Sequence, residues 1–218
     1  MCPLHLVMFD IDGTLVDSHG FDSDLFAAAV KHELGVQVDE TWRSYQHVTD
    51  SGILEDLLRE RVAVAERQQA YQRVKARFVG LVQDYIADQP KGLAPVLGAP
   101  EFIRELRSKA GVVVAFATGG WRETAVMKLQ SVGIEFESLP FATSSDAAAR
   151  TEIMRFAERQ ASACGSSARR TYFGDAPWDK KASADLGYDF VAVGGRVEHS
   201  QRFEDFSDQK AVLDVLGV

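Results

Sequence analysis

The sequence predicts an α/β protein with a parallel-sheet core and an inserted all-helical segment. Three observations predict this class: an apolar run at 4–9, helical periodicity throughout 18–90, and alternating strands and helices in the remainder. Alternation of this kind is typical of a parallel sheet whose strands are connected by helices. The core is therefore expected to comprise 1–17 and 91–218, and the insert to comprise 18–90.

The inserted segment is predicted to contain three helices. The first follows Phe21, carries apolar residues at helical spacing and ends at Gly35. The second begins near Ser51, and the third covers about 66–87 with an apolar stripe along one face. No strand pattern is present in this stretch, so the insert is expected to form a helical cap.

The linker back to the core is predicted at 89–100, which contains three prolines and two glycines. Pro90, Gly92 and Pro95 are the expected hinge. The following residues alternate in pattern. They predict helices at 101–109, 121–132, 150–163, 179–186 and 207–216, and strands at 112–117, 139–142, 170–173 and 190–193.

Composition and charge limit the kinds of molecule that this protein is expected to bind. The chain has 218 residues and a net charge of -8, which argues against a general nucleic-acid-binding protein. Its two cysteines, Cys2 and Cys164, have no metal-ligand spacing and indicate no disulfide framework. No apolar run reaches membrane-spanning length, and no secretory signal is evident. We therefore expect a cytoplasmic protein with no membrane partner.

Carboxylates follow two of the predicted strands. Asp10 and Asp12 come directly after the first strand, and Asp175 and Asp179 follow the strand predicted at 170–173. In an open parallel sheet, ligands bind beyond the carboxyl ends of the strands, so these side chains are expected to converge. Close carboxylates repel one another by roughly 4 kcal/mol per pair in a partly buried site. A hard cation removes this cost, and Mg²⁺ prefers carboxylate oxygens, water and phosphate.

A phosphate site is expected beside these carboxylates. Thr118 and Gly119 follow the strand predicted at 112–117, where the chain enters a helix. The free N–H groups at a helix N-terminus favour a phosphate group. The sequence therefore places an anion and a cation at the same edge of the sheet.

These motifs resemble those of the haloacid dehalogenase-like hydrolase superfamily. "DIDGTLVD" at 10–17 matches its DxDGT signature, "VVVAFATGG" at 112–120 its second motif, and "YFGDAPWD" at 172–179 its GDxxxD motif. The resemblance covers most of the chain and is to the phosphatase branch with an inserted helical cap, which includes phosphoglycolate phosphatases and β-phosphoglucomutase-like proteins. It implies a Rossmann-like core.

The resemblance implies a role for each aspartate. Asp10 would be the nucleophile that forms an aspartyl phosphate, and Asp12 would be the general acid and base. Asp10, the backbone carbonyl of Asp12, and Asp175 would hold Mg²⁺. Asp179 would be a further metal ligand, although an aspartate in that position can also simply cap its helix. Asp12 argues against dehalogenation, because a departing halide needs no proton.

The resemblance also implies which residues hold the phosphoryl group. Thr118 and the amide of Gly119 would bind it. The family usually supplies a lysine between the second and third motifs, and here Arg150 stands at that place. An arginine can bind phosphate with a bidentate fork. Lys180 or Lys181 is the alternative, and Arg150 could instead be an exposed helix residue.

The substrate-specificity residues are expected in the cap. The stretch "HVTDSGILED" at 47–56 contains Thr49, Asp50 and Ser51, which could reach into the site and contact the leaving group. The same three residues could equally form a helix cap.

The sequence therefore predicts Mg²⁺-dependent hydrolysis of a small phosphorylated metabolite through an aspartyl phosphate. One alternative is a phosphomutase that transfers the phosphate to a second hydroxyl of a sugar phosphate. Another is a non-catalytic regulatory or binding protein on the same fold. Phosphoglycolate, sugar phosphates and nucleotides all remain open as substrates, and the oligomeric state is not specified.

Overall fold

The computed structural model describes residues 4–89, 92–165 and 167–218 and contains a parallel β-sheet. Its strands are β1 (Leu4–Phe9), β2 (Val112–Ala117), β3 (Phe141–Ala142), β4 (Ser167–Gly174), β5 (Asp189–Val193) and β6 (Arg202–Phe203). They lie in the order β3-β2-β1-β4-β5-β6, and every neighbouring pair is parallel. The predicted fold class is therefore confirmed. Strand β4 begins three residues before the predicted start at 170, and the short β6 was not predicted.

The inserted segment contains the three predicted helices. They are α1 (Asp22–Leu34), α2 (Asp50–Arg61) and α3 (Arg67–Ala87). Helix α1 ends at Gly35, whose φ of 67° is left-handed and easily adopted by glycine. The helices pack around an apolar cluster in which the rings of Phe26 and Phe78 meet edge to face at 5.6 Å, and Trp121 of the core also belongs to this cluster. The insert therefore shares its apolar cluster with the core, and the division into domains stays a prediction.

The core helices cover both faces of the sheet. They are α4 (Ala99–Ser108), α5 (Arg122–Ser131), α6 (Arg150–Ala161), α7 (Pro177–Leu186) and α8 (Gln209–Leu216). Side chains of β1 alternate: Val7 and Phe9 join the apolar cluster with α4, α5 and α8, whereas Leu6 and Met8 join the cluster with α6 and α7. In the described ranges, no helix is both long enough and apolar enough to cross a membrane.

The two passages between core and insert run side by side. Val16 and Pro95 form an antiparallel bridge, and the amide of Asp17 donates to the carbonyl of Ala94 at 2.9 Å. Gly92 has a φ of 75° on the returning passage. Pro90, another residue of the predicted hinge, lies outside the described residues. The hinge itself stays a prediction.

The sheet register aligns the ends of the three central strands. Phe9, the last residue of β1, pairs with Phe116 of β2 and with Phe173 of β4. The residues that follow these strands therefore share one edge of the sheet. The inserted helices lie over this edge.

Candidate active site

Three buried carboxylates lie together at the carboxyl edge of the sheet. Asp10 follows β1, Asp175 follows β4, and Asp179 lies in the first turn of α7. One oxygen from each lies within 4.8 Å of the others, and the residues are 3%, 3% and 0% exposed, respectively. These are three of the four predicted metal ligands. Their mutual approach is the arrangement that a hard cation would stabilise.

Asp179 uses its two oxygens differently. Its Oδ2 accepts a hydrogen bond from the amide of Ala176 at 3.0 Å, which caps α7. Its Oδ1 points toward the carboxylate cluster and lies 2.8 Å from Nη1 of Arg150. The side chain of Asp179 lies directly against the backbone of Gly174, and a Cβ at position 174 would lie 2.5 Å from Cβ of Asp179. Glycine at position 174 therefore allows Asp179 to take this place. The capping role and a ligand role are therefore compatible.

Arg150 extends from the start of α6 into the carboxylate cluster. Its Nη1 lies 3.5 Å from Oδ1 of Asp10 and donates to the hydroxyl of Tyr172 at 3.3 Å. Lys180 instead donates to the carbonyl of Glu198 at 2.8 Å and is exposed. Arg150 is thus the basic residue placed where the family's lysine was expected.

A second arginine, Arg196, was not predicted. Its Nη1 donates to Oδ2 of Asp175 at 2.7 Å, and Nε2 of His19 lies 3.5 Å from the same oxygen. Arg196 is partly exposed and follows β5 after two glycines. Because Arg196 follows β5, the rule that ligand-binding residues lie beyond strand ends is the sequence signal that could have identified it.

Burial gives the carboxylate cluster unusual acid–base properties. Burial and the neighbouring charge of Asp179 together raise the pKa of Asp10 to about 7. Burial and the charge of Asp10 raise the pKa of Asp175 to about 7. The pKa of Asp179 rises to about 6 because burial outweighs the opposing effect of Arg150. The protein alone therefore does not fully compensate three negative charges at this point.

The predicted phosphate-binding residues lie beside Arg150. Thr118 is buried at the end of β2, and its Oγ1 accepts from the amide of Gly120 at 3.3 Å. A Cβ on Gly119 would lie 2.5 Å from Nη2 of Arg150. Only glycine at this position leaves room for the guanidinium in its present place.

Asp12 lies beside this cluster and binds a buried lysine. Its Oδ1 accepts from Oγ of Ser18 at 2.7 Å and from Nζ of Lys128 at 2.5 Å. Lys128 also donates to Oδ1 of Asp22, a residue of α1, at 2.5 Å. We did not predict Lys128 as a site residue. Ala125 and Lys128 are three residues apart in α5, so helical spacing places both on its buried face. This spacing is the sequence signal that could have indicated a buried lysine.

Thr49 and Ser51 join the insert to the core. Oγ1 of Thr49 accepts from the amide of Gly52 at 3.0 Å, which caps α2, and also donates to the carbonyl of Ala148 at 2.7 Å. Oγ of Ser51 donates to the carbonyl of Ser144 at 2.6 Å. The capping interpretation holds for Thr49, and both hydroxyls hold the insert on the core.

Asp50 and Trp121 extend this junction. The amide of Asp50 donates to the carbonyl of Gly119 at 2.9 Å, and its Oδ2 accepts from the amide of Trp121 at 2.9 Å. The indole Nε1 of Trp121 donates to Oγ of Ser51 at 2.9 Å and to the hydroxyl of Tyr71 at 2.8 Å. The insert is therefore docked on the core in this structure.

A cavity of about 110 Å³, open to solvent on one side, lies between the two parts of the chain. Asp10, Asp12 and Arg150 line its core side, while Thr49 and Asp50 line its insert side; Ser51 does not. Other walls from the insert are Phe26, Trp42, Val48 and Ile53. A specificity role for Thr49 and Asp50 is compatible with this placement and stays a prediction.

The fold and the site together define a Rossmann-like enzyme whose acidic site lies beneath inserted helices. The family model for haloacid dehalogenase-like hydrolases matches residues 4–187, and the chain belongs to this family. No curated protein matches the sequence.

Solved structures with the same fold cover nearly the whole chain. A hydrolase from Pseudomonas syringae is 20% identical with a TM-score of 0.72, over 96% of this chain and 98% of that chain. CbbY from Rhodobacter sphaeroides in complex with phosphate is 19% identical, with a TM-score of 0.71 and coverages of 97% and 99%. A candidate β-phosphoglucomutase from Bacteroides vulgatus is 18% identical, with a TM-score of 0.68 and coverages of 99% and 89%.

Proposed function

We propose that this hydrolase is a Mg²⁺-dependent phosphatase that cleaves small phosphate monoesters through an aspartyl phosphate on Asp10. The observation that carries the proposal is the buried cluster of Asp10, Asp175 and Asp179, with Asp12 beside it and a small cavity above. The family supports a hydrolase, and the similar CbbY structure contains phosphate.

The residues present fit a magnesium ion. Asp10, Asp175 and Asp179 provide only carboxylate oxygens, which are hard ligands. Oδ1 of Asp10 and Oδ1 of Asp179 are buried without a well-aligned hydrogen bond from any described residue. These three side chains, with the backbone carbonyl of Asp12, would hold the ion. When bound, Mg²⁺ would screen the negative charges of the nucleophile and the phosphate.

The protein's own residues would carry out the reaction. A carboxylate oxygen of Asp10 would attack phosphorus while the bond from phosphorus to the ester oxygen breaks. Asp12 would give a proton to the departing oxygen, and would then take one from the water that hydrolyses the aspartyl phosphate. Thr118, the amide of Gly119 and Arg150 would hold the phosphoryl oxygens during both steps. Arg150 would also keep Asp10 in place, since its guanidinium lies 3.5 Å from that carboxylate.

The docked insert would protect the intermediate from bulk water. It covers part of a cavity of about 110 Å³, so the leaving group is expected to be small. Excluding water strengthens each electrostatic interaction within the site. Substrates would enter and products leave when the insert moves away from the core.

Release of free phosphate is the direct test. The full chain should hydrolyse members of a panel of small phosphorylated metabolites in Mg²⁺, and EDTA should stop the reaction until Mg²⁺ is restored. Asp10→Asn should abolish turnover while leaving the circular dichroism spectrum unchanged. Asp185→Asn is a matched control, because Asp185 is exposed on α7 and pairs only with Lys181 among the described residues. Turnover in EDTA, or an active Asp10→Asn variant, would reject the proposal.

A phosphomutase is the second candidate, favoured by the similarity to the candidate β-phosphoglucomutase. It would use the same aspartates and return the phosphate to another hydroxyl of a sugar phosphate. Incubation with sugar monophosphates, with and without a bisphosphate primer, separates the two functions. Stoichiometric free phosphate indicates a phosphatase. An isomeric sugar phosphate that forms only when a bisphosphate primer is added indicates a mutase.

A further inference from the structure

The two carboxylate oxygens of Asp12 have different surroundings. Both side-chain donors bind Oδ1, with Ser18 at 2.7 Å and Lys128 at 2.5 Å. No hydrogen bond joins Oδ2 to any residue in the described ranges, and this oxygen faces the backbone of Gly120, where a Cβ would lie 3.4 Å away. Asp12 lines the cavity between insert and core. Its Oδ2 is thus the oxygen available to a ligand.

Lys128 is held in place from two sides. Its side chain is 1% exposed, and its Nζ lies 2.5 Å from an oxygen of Asp12 in the core and 2.5 Å from an oxygen of Asp22 in the insert. Removing an ammonium group from water is costly unless it is paired and hydrogen-bonded. Two short contacts to carboxylates of different elements leave the ammonium little freedom to move. An anchored ammonium restricts rotation of the Asp12 carboxyl group.

We propose that Lys128 is a positioning residue that holds Oδ1 of Asp12 so that Oδ2 is turned toward the ligand cavity, an inference that rests on the proposed function. In the first step, an oxygen of Asp10 bonds to phosphorus while the bond between phosphorus and the ester oxygen breaks. Oδ2–H of Asp12 gives its proton to the departing ester oxygen. In the second step, Oδ2 takes a proton from water as the water oxygen bonds to phosphorus and the bond to Asp10 breaks. Ser18 assists by donating to the same Oδ1.

The insert takes part in this anchoring. Asp22 lies in the first turn of α1 and supplies the second carboxylate for Lys128. Docking of the insert and orientation of Asp12 therefore involve the same ammonium group. Cleavage that needs a proton should depend on Lys128, whereas cleavage that needs none should not.

Leaving-group dependence tests this role. An alkoxide must be protonated as it departs, whereas p-nitrophenolate leaves without a proton. We expect Lys128→Met in saturating Mg²⁺ to lower kcat/KM for glycerol 2-phosphate by about 100-fold, and that for p-nitrophenyl phosphate by less than about fivefold. The ratio kcat/KM reports the steps up to departure of the leaving group. Equal losses for both esters would overturn the proposal, since a general structural defect has no reason to distinguish them.

Three further variants distinguish this role from a folding defect. Lys128→Met combined with Asp22→Asn removes the ammonium and its partner in the insert together, and the same selective loss is expected. Ser18→Ala should shift the ratio of the two esters in the same direction, by about tenfold or less. Lys181→Met, which removes an exposed lysine paired with Asp185 on α7, should leave the ratio unchanged.

The outcomes separate this inference from the function on which it rests. A wild-type protein that hydrolyses neither ester, nor any member of the panel of small phosphorylated metabolites, would reject the proposed function and the role of Lys128 with it. An active wild-type protein whose Lys128 variants lose both esters equally would reject the role of Lys128 alone. Selective loss of the alkyl ester would support both.

Discussion

Replacing Trp121 by phenylalanine tests how strongly the insert is held on the core. The change keeps an aromatic ring beside Phe26 and Phe78, whose ring centroids lie 5.9 Å and 5.8 Å from that of Trp121. It removes the indole Nε1–H that binds Ser51 and Tyr71. The two hydroxyls are 2.8 Å apart and still bind each other, so neither is left without a partner.

The expected loss follows from these contacts. One N–H shared between two acceptors contributes about 1 kcal/mol, because its net value is that of a single hydrogen bond. The smaller ring adds up to about 1 kcal/mol through lost apolar burial. A total of about 1–2 kcal/mol corresponds to a factor of about 5–30 in the equilibrium between docked and undocked insert.

Steady-state kinetics and urea unfolding provide the assay. The Trp121→Phe variant should lose about 1–2 kcal/mol of unfolding free energy, and its kcat/KM should fall by a factor of about 5–30 for every ester alike. Val74→Ala is the control: it removes about 2 kcal/mol of apolar burial from α3 and none of the hydrogen bonds between the insert and the core. The control should lose stability but keep kcat/KM. Unchanged kcat/KM in Trp121→Phe, despite the expected loss of stability, would refute the reasoning.

Three other predictions concern the carboxylate cluster and its arginine. The pKa values of Asp10 and Asp175 are raised to about 7 in the folded protein, from about 4 in the unfolded chain. Their contribution to stability is therefore present below about pH 4 and is lost as the pH rises through about 7. Added Mg²⁺ should raise the melting temperature more at pH 8 than at pH 5, because both carboxylates are charged at the higher pH. Equal shifts at both pH values would contradict this. Gly119→Ala should lower kcat/KM about 100-fold with little loss of secondary structure, because the new Cβ displaces Arg150; an active variant in a phosphate-release assay would exclude this geometry. Arg150→Lys should weaken inhibition by inorganic phosphate about tenfold, since a point charge replaces the fork, and unchanged inhibition would argue against phosphate binding by Arg150.

Much of the fold could be predicted because local patterns agree with the final structure. The apolar run at 4–9, the helical stripe near 66–87 and the glycine at 35 each specify their element without distant contacts. Strand ends then indicated where Asp10 and Asp175 would meet. The short strand β6 has only two residues, and such a segment has too few positions to show a periodic pattern.

The residues that were missed depend on distant parts of the chain. Lys128 and Asp12 are separated by 116 residues, and only the packing of α5 beneath the insert brings them together. A lysine in a helix is usually expected on the exposed face, and nothing local marks this one as paired. For Thr49, Asp50 and Ser51 the sequence left substrate contact and helix capping equally open. Thr49 does cap α2, and hydrogen bonds of all three residues hold the insert on the core, while substrate contact stays a prediction.

The paired passages at Val16 and Pro95 have a consequence for how such proteins diversify. Because the chain leaves and re-enters the core at neighbouring points, the whole helical segment is attached to the core through two adjacent passages. If the insert moves, these paired passages would restrict it to rotation about them, and a different segment could replace it provided that its two ends lie equally close. Exchange of the complete insert between related enzymes would thus keep the sheet and its aspartates, while a replacement insert would need its own partner for Lys128 in place of Asp22.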